Sequence, residues 1–591
     1  MSKKKIQRSA EERSQRSGNL SEKVSKWRFV KGLTLPFLSG AILSLLFPNF
    51  SFGFLAFVIL LPTLFIALKD LRGGFWTGYI FGFGYFGLSM TFVNPIVPGG
   101  SFILSIFLSL YPALWLKISK SFLSNLIFSK ENDLSPKQTN PERGIKDLSL
   151  KQVLLFILFS SALWVSLEWF RSWILTGLTW NQLGYSQWQN LSFSQMSRFT
   201  GIYGLTFIIV LINLFIYFSI QLKSHRKILI PAAVIILVCS HLVPKVKLPE
   251  PDSHYRVGVV QGNVPIKVAL DARNLYDIIN NYYQQSVYIA TKEKPDLIIW
   301  GETVIPRTMT VNANQKGVKD DSLECHIDLH TIIKHTNTKL LMGTQDHGFQ
   351  GKFYWNKPRK SYNAAVLFDE NAKRKSHYYK RHLVPFGEFI PLEKSLPKSL
   401  MNRLKQTFHI QPALHSGEVS NLFEIDDVLM GCNICYEDCF PLYSRDMTNN
   451  GANVILTLTN DSWFEETNGS MQHLSHGIFR SIENIRPTIR VGNNSGSCLI
   501  MPDGTIRDLL ENPDTGEHFY KGSAIIEIPI WQELPKSFYT KYGDVFAWLM
   551  SIIAFAMTLY CIYRHIDRKK RLYKIMNPDI ANENQTESVS P

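Results

Sequence analysis

The sequence predicts a polytopic α-helical membrane domain of eight spans joined to a globular α/β domain. Apolar runs of about 20 residues, the length that crosses a hydrocarbon core, crowd the chain up to residue 245 and recur once near the C-terminus. Basic residues occupy alternate connections between these runs. From Tyr255 onward the texture changes to short apolar runs bounded by turns, with helical patterns between several of them; that alternation is the mark of an α/β domain. The 591 residues are 45% hydrophobic, 13% aromatic and only 19% charged, which excludes a disordered, collagenous or coiled-coil chain.

The expected spans lie at roughly 30–48, 51–69, 73–93, 101–122, 151–175, 201–222, 227–245 and 543–563. Lys and Arg mark the arm before the first span, the turn with Lys69 and Arg72, the 117–151 connection, the turn with Lys223, Arg226 and Lys227, and the C-terminal tail. The alternate connections at 48–51 and 94–100 carry none, and the one at 176–200 carries only Arg198. Basic loops stay in the cytoplasm, so both termini are expected there and the globular domain on the other side. The organisation is thus a cytoplasmic basic arm (1–29) without a cleavable signal pattern, a seven-span membrane domain (30–245), an extracytoplasmic domain (246–540), a last transmembrane helix (541–565) and a cytoplasmic tail (566–591).

A formal charge of +15 invites a nucleic-acid reading. Much of the excess, however, sits in Lys3, Lys4, Lys5, Arg8, Arg13 and Arg16 and in the run Arg564, Arg568, Lys569, Lys570, Arg571 and Lys574, all flanking apolar spans. With no recognised binding module beside it, the charge implies no nucleic-acid partner. Seven cysteines do not make a disulfide scaffold. Cys432, Cys435 and Cys439 cluster, but no second Cys or His pair completes a zinc set, so neither metal nor cofactor is expected.

Within the spans, the glycines from Gly73 to Gly87 read as close helix packing or, alternatively, as a substrate path. Glu168 and Arg171, at i,i+3 spacing, are costly unless paired or near water; they read as a structural pair or as a ligand contact. Trp173, Trp180, Tyr185 and Trp188 suit an interfacial belt as well as a lipid-headgroup site.

Three places in the α/β domain end an apolar strand on a reactive side chain. The run Asp296–Trp300 leads through Gly301 to Glu302, with Pro306 close behind. The string from Tyr378 to Glu388 sets Lys380 and Glu388 on either side of a Pro/Gly turn. The run from Gly431 ends at Cys435, followed by Tyr436, Glu437 and a polar turn. A strand-to-helix elbow exposes a nucleophile and offers backbone N–H groups to an oxyanion. A cysteine there beside a cation is expected to be partly thiolate. Cys439 is a rival nucleophile. Glu388 orients Lys380 or is a surface carboxylate, and Glu437 is similarly open. Trp463 walls the pocket or belongs to the core, and His473 reads as a buried histidine outside the catalytic set. Leu392, Leu396, Leu400, Leu404 and Phe408, at helical spacing, suit either a greasy arm over the membrane or a core-facing helix.

The ordered trio Glu302, Lys380 and Cys435, in the strings W-G-E-T-x-I-P, Y-x-K-R-H-L-V-P-F-G-E and I-C-Y-E, resembles the Glu-Lys-Cys site of the nitrilase superfamily. The match extends to the Q-G-N-V-P start at Gln261, the string from Asn460 to Phe464, and the run from Gln472 through Arg480, Glu483 and Arg490 to Asn493. With E-W-F-R-S-W-I-L-T-G from Glu168 and N-Q-L-G-Y-S from Asn181, the chain resembles the apolipoprotein N-acyltransferase family over roughly residues 30–565. That resemblance implies a four-layer α-β-β-α sandwich and a bacterial inner-membrane enzyme whose catalytic domain faces the periplasm. It implies a phospholipid acyl donor, phosphatidylethanolamine first among candidates, and a diacylated apolipoprotein acceptor; a monomer is expected. Cys435 would be acylated with Glu302 as base, and Lys380 and the Tyr436 N–H would hold the oxyanion; an amine would then take the chain in a ping-pong scheme. The chain departs from the family pattern at Ala269 and Leu270, where a Trp is usual, and at Gly177-Leu-Thr-Trp180. The alternative is a membrane-tethered nitrilase-type amidohydrolase using the same trio with water as acceptor.

Overall fold

The computed structural model describes residues 32–68, 74–127, 144–305, 329–346, 360–391, 393–395, 397–399, 401–403 and 414–576. Seven apolar helical segments come first: α1 (Gly32–Leu46), α2 (Gly53–Ala67), α3 (Phe75–Ser89), α4 (Gly100–Ile127), α5 (Leu150–Arg171), α6 (Ile202–Gln221) and α7 (Arg226–His241). Each overlaps one expected span. Of these, α4, α5 and α6 are long and apolar enough to cross a membrane, by length and composition, and α1 and α2 are shorter. Helix is the natural state of such runs, because it satisfies every backbone N–H and C=O within the segment. A capping box starts α5: Gln152 N–H donates to Ser149 Oγ (3.4 Å), and Ser149 N–H donates to Gln152 Oε1 (2.9 Å). The glycines of α3 settle toward packing. A Cβ on Gly78 would stand 2.4 Å from the Pro112 carbonyl oxygen, and one on Gly84 would stand 2.2 Å from that of Phe37, so α3 lies against both neighbours at backbone distance.

The globular part has strands β1 (Ser253–Gln261), β2 (Leu297–Ile305), β3 (Lys339–Asp346), β4 (Tyr362–Phe368), β5 (Arg374–Tyr379), β6 (Leu422–Ile425), β7 (Val428–Ile434), β8 (Val454–Thr459), β9 (Thr488–Gly492), β10 (Cys498–Ile500), β11 (Ile506–Arg507) and β12 (Gly522–Ile530). They form two six-stranded sheets, ordered β12-β1-β2-β3-β4-β5 and β11-β10-β9-β8-β7-β6. In each the centre is parallel (β1-β2-β3; β7-β8-β9) and the flanks antiparallel. Period-two alternation divides the first sheet's side chains. Val257, Val259, Leu297, Ile299 and Leu341 turn inward against Met430, Ile434, Leu456, Leu458 and Val491 of the second sheet. Val260, Ile298, Trp300 and Met342 turn outward under α8 (Leu275–Glu293) and α9 (Leu329–Thr336). Each such Val, Leu or Ile contributes roughly 1.5–3 kcal/mol by leaving water. The second sheet is covered by α10 (Pro441–Asn449) and α11 (Gly469–Asn484). The order is the expected α-β-β-α.

Every residue of α11 except Met471 is buried. One face meets the second sheet. The other continues into the membrane half, where Leu474, Ile478, Phe479 and Ile482 share a core with Leu183 and Tyr185. Polar ties run along the same seam: Trp180 Nε1 donates to Gln472 Oε1 (2.9 Å), Gln472 Nε2 to the Pro48 carbonyl (3.1 Å), and Arg480 Nη2 to the Tyr185 hydroxyl (3.3 Å). Trp180 and Tyr185 are therefore buried docking residues; Trp188 is buried as well, and Trp173 is 51% exposed. The chain closes with α12 (Val545–Met576), the fourth helix long and apolar enough to span. The helical-spacing leucines Leu392, Leu396, Leu400, Leu404 and Phe408 lie outside the described residues, as do most of the 129–150 insert and the basic arm.

Candidate active site

The carboxyl ends of the parallel strands β2, β7 and β8 open at one edge of the sandwich, where α/β sheets place their ligands. β2 leaves its register with β3 between Trp300 and Ile305, and Thr303 adopts φ +45°. The bulge turns Glu302 toward the second sheet. It fits because Gly343 lies beneath it: a Cβ there would stand 2.6 Å from the Glu302 Cα.

Glu302 is 5% exposed. Its Oε1 accepts from Asn363 Nδ2 (2.8 Å) and from Lys380 Nζ (3.3 Å), and its Oε2 accepts from the Asn460 N–H at the end of β8 (3.0 Å). Lys380, 1% exposed, also donates to Glu388 Oε1 (3.1 Å). Burial works against its charge, yet the Glu388 and Glu302 carboxylates outweigh burial and hold Lys380 protonated above its ordinary value. Glu388 is thus no surface carboxylate. It also accepts from Asn363 Nδ2 (2.9 Å) and from the Val384 N–H (2.8 Å), which fixes the Lys380 turn.

β7 ends at Ile434, one residue before its expected end, because Cys435 takes φ +51° and opens a 3-10 turn, Cys435–Cys439. This is the expected elbow. The expectation of a partly ionised thiol is not met. Burial pushes the Cys435 thiol up to about 12, Glu302 adds to the rise, and Lys380 and His473 only partly offset it. The lysine charge is already committed to two carboxylates, so little of it is left for the sulfur. The resting group is a thiol with a carboxylate nearby.

Glu437, wholly buried, clamps the elbow to the lysine turn. Its Oε2 accepts the Ile434 N–H (2.7 Å), and its Oε1 accepts the Arg381 N–H (2.6 Å), the His382 N–H (3.1 Å) and the Tyr378 hydroxyl (3.0 Å). Burial raises it to about 7 against these hydrogen bonds and Lys380. The Tyr436 hydroxyl donates to the Gly177 carbonyl (3.2 Å), joining the elbow to the loop after α5. Trp463 is 43% exposed, which removes the core reading. Cys439 is fully buried, its thiol raised by burial to about 11; it lacks the access that a rival nucleophile needs.

Behind the elbow lies a second network whose role the sequence did not disclose. His473 Nδ1 meets Asp461 Oδ1 and its Nε2 meets Asp438 Oδ1, both at 2.8 Å, and Nε2 also reaches the Cys435 carbonyl at 3.2 Å. Arg490 closes the ring, with Nη2 on Asp461 Oδ2 (2.6 Å) and Nη1 on Asp438 Oδ2 (3.3 Å). Burial opposes the imidazolium, but the two aspartates outweigh it and carry His473 well above its ordinary value. Cys435, Asp461 and His473 bring potential ligand atoms within 4.8 Å of one another, as do Asp438, Cys439 and His473. Both imidazole nitrogens already face carboxylates, and the Arg490 cation occupies the space between them, so the chemistry of the set does not favour a metal ion. Asn363 and Asn460 are the other groups that sequence reasoning missed: an asparagine within an apolar strand and a backbone N–H.

The class follows from this arrangement. Residues 256–526 match the carbon-nitrogen hydrolase family, and residues 39–215 match the apolipoprotein N-acyltransferase N-terminal domain. The apolipoprotein N-acyltransferase of Geobacter metallireducens is 26% identical over 531 residues, 86% of this chain and 91% of that protein. That of Rickettsia prowazekii is 32% identical over 359 residues, 58% of this chain and 65% of that protein. The apolipoprotein N-acyltransferase 1 of Treponema denticola is 26% identical over 571 residues, 89% of this chain and 95% of that protein. A solved amidase from Nesterenkonia sp. aligns at a TM-score of 0.32 and 15% identity, covering 48% of this chain and 92% of that one. With both halves matched in order, the chain belongs to the apolipoprotein N-acyltransferase family.

Proposed function

We propose that this enzyme moves a fatty acyl chain from a membrane phospholipid, phosphatidylethanolamine first among candidates, to the α-amino group of the S-diacylglyceryl-cysteine that begins an apolipoprotein. The observation that carries the reading is the buried Glu302–Lys380 contact (3.3 Å) set against the Cys435 elbow, in a domain whose outer helix layer is packed into membrane helices.

Because the thiol rests protonated, its proton passes to Glu302 as sulfur attacks the ester carbonyl. The S–C bond forms, the tetrahedral oxyanion collapses, and the C–O bond to the glycerol breaks. Glu302 returns the proton to the leaving lysophospholipid. The amine then attacks the thioester carbonyl, giving its proton to Glu302; a C–N bond forms, the C–S bond breaks, and the proton goes back to Cys435. Lys380 keeps its proton throughout and, with the Tyr436 N–H, stabilises the two oxyanions. Glu388 and Glu437 are positioning residues, and Trp463 walls the entrance. Eight crossings, with both termini cytoplasmic and the sandwich on the periplasmic side of the inner membrane, complete the reading; it is supported by the eight apolar helical segments and the alternation of basic connections. The enzyme acts as a monomer in this reading.

Incubation of detergent-purified protein with phosphatidylethanolamine, followed by intact mass, tests the first half. A fatty-acyl adduct that hydroxylamine removes and Cys435→Ala lacks is expected. Release of free fatty acid or ammonia from simple esters or amides, without an adduct, would replace the acyl transferase with an amidohydrolase.

A further inference from the structure

Asn493, just past the end of β9, is 2% exposed and spends its whole amide on neighbours. Its Nδ2 donates to the Val264 carbonyl (2.8 Å) and to Asn460 Oδ1 (3.0 Å). Its Oδ1 accepts from the Val264 N–H (3.3 Å) and the Tyr282 hydroxyl (3.0 Å). A flipped amide would set oxygen against oxygen and N–H against N–H, so these partners fix its orientation. The backbone is engaged as well: the Asn493 N–H donates to the Thr459 carbonyl (3.0 Å), and its carbonyl accepts the Asn263 N–H (2.7 Å).

Two of these bonds converge on one peptide unit. The Thr459 carbonyl and the Asn460 N–H belong to the same rigid plane and point opposite ways. Asn493 holds the carbonyl end, and the N–H end donates to Glu302 Oε2 (3.0 Å). The Asn460 side chain is held too, since its Oδ1 takes Asn493 Nδ2 together with the Ser462 hydroxyl (2.6 Å). The first sheet reaches this spot backbone to backbone: a Cβ on Gly301, the residue before Glu302, would stand 3.1 Å from the Asn493 nitrogen. Tyr282 reaches it over Gly262, where a Cβ would stand 2.6 Å from the tyrosine oxygen.

The two oxygens of Glu302 are not equivalent. Asn363 and Lys380 both donate to Oε1, whereas Oε2 receives only the Asn460 N–H among the described residues. A carboxylate oxygen offers two lone-pair positions, so Oε2 is the one with room for a proton.

We propose that Asn493 is a positioning residue that acts through the Thr459–Asn460 peptide to hold Glu302 Oε2 as the atom that takes the Cys435 proton. The S–H bond breaks as an O–H bond forms at Oε2, and Oε2 then passes that proton to the leaving group. The base role of Glu302 rests on the proposed reaction; the grip on the peptide rests on the hydrogen bonds alone.

The test follows acylation of Cys435 by phosphatidylethanolamine in full-length protein, as rate per folded molecule across pH. Asn493→Ala is expected to lower the rate by about tenfold or more, the worth of a hydrogen bond to a charged group. A carboxylate with a loosened donor keeps its proton to higher pH, so the acid limb of the profile should move up by about one pH unit. The titratable groups around Glu302 and Cys435 are Lys380, Glu388, His473 and Asp461, and the substitution leaves all of them in place. In Glu302→Gln protein, followed to long times, adding Asn493→Ala should change the residual rate by no more than about twofold.

A slower rate with the limb unmoved, or the same proportional loss in Glu302→Gln protein, makes Asn493 structural only and overturns the proposal. If Asn493→Ala does not fold, Asn460→Ala must move the limb the same way, and an unmoved limb there overturns it equally. Normal acylation by Glu302→Gln alone removes Glu302 as base and takes the proposal with it. If the unmutated protein forms no adduct and hydrolyses a simple ester instead, only the phospholipid reading falls. The same limb comparison is then read on that hydrolysis, which still requires the Cys435 proton to leave.

Discussion

The two faces of the Cys435 elbow are both lined with buried charge, and they are built differently. In front, Lys380 faces two carboxylates, Glu302 and Glu388, an excess of acid over base. Behind, Asp438 and Asp461 face His473 and Arg490, two acids against two bases, nearly all at hydrogen-bond distance. A balanced ring neutralises its own charge, with the Arg490 Nε–H left without a hydrogen-bond partner, so it behaves as a rigid floor. The unbalanced set retains a carboxylate able to accept a proton. In the proposed reaction, geometry that looks alike in burial separates into a reactive face and a supporting face by charge count.

The separation can be broken from either side. The largest effect is expected at Glu302→Gln, which removes the proton acceptor while leaving Lys380 paired with Glu388: acylation of Cys435 should fall by about 10²–10⁴, with the melting temperature little changed. A variant that melts much earlier yet acylates normally would reverse the two roles. Asp461→Asn should do the opposite. It leaves Arg490 and His473 short of a counter-charge in a dry interior, a loss of about 3–5 kcal/mol of stability in denaturant titration, with a smaller change in rate per folded molecule. Glu437→Gln lies between, since it turns an amide toward backbone donors from Ile434, Arg381 and His382. A cost of about 1–3 kcal/mol should accompany a slower rate, because the lysine turn and the elbow are no longer clamped together.

The gentlest test uses pH. A thiol carried up to about 12 is almost wholly protonated at neutral pH, and its thiolate fraction grows with every unit of pH below that value. Alkylation of Cys435 by a neutral reagent, mapped by peptide mass, should thus rise about tenfold per pH unit from 7 to 10. A plateau between pH 8 and 9 would show that the Lys380 charge reaches the sulfur after all. On the supporting face, the His473 value is raised, so its contribution to stability is complete below an ordinary histidine's pKa. That contribution is lost as pH rises through the raised value.

Much of this was legible in the sequence. The strand ends at Glu302 and Cys435, the Lys380 turn and the apolar runs all depend on local patterns, periodicity and turn residues, which a single chain displays. What was hidden depends on who faces whom. His473 looked like an ordinary core histidine because Asp438 and Asp461 reach it from turns after different strands. The state of the thiol was misjudged for a related reason: a nearby lysine implies thiolate only if its charge is unspent, and Glu388 spends it. Glu168 and Arg171 have pairing distance in sequence, yet the Glu168 carboxylate accepts its hydrogen bonds from Trp164, Leu183 and Thr206. The short strands β6 and β9 carry too little pattern to stand out, and Trp180 and Tyr185 resembled a belt because docking surfaces and bilayer interfaces favour the same aromatic residues.

Helix α11 leaves a further consequence. With sheet on one side and membrane helices on the other, it has no face for water, so the junction between the halves is welded and cannot serve as a joint. In the reaction proposed, both substrates drift sideways in a lipid leaflet toward a sulfur whose height above that leaflet the weld would set. Such an enzyme would measure its substrates as a gauge does, accepting an ester carbonyl that rides at the right depth whatever the chain beneath it. The same weld means that the sandwich could not be cut free as a soluble catalyst without baring a greasy helix.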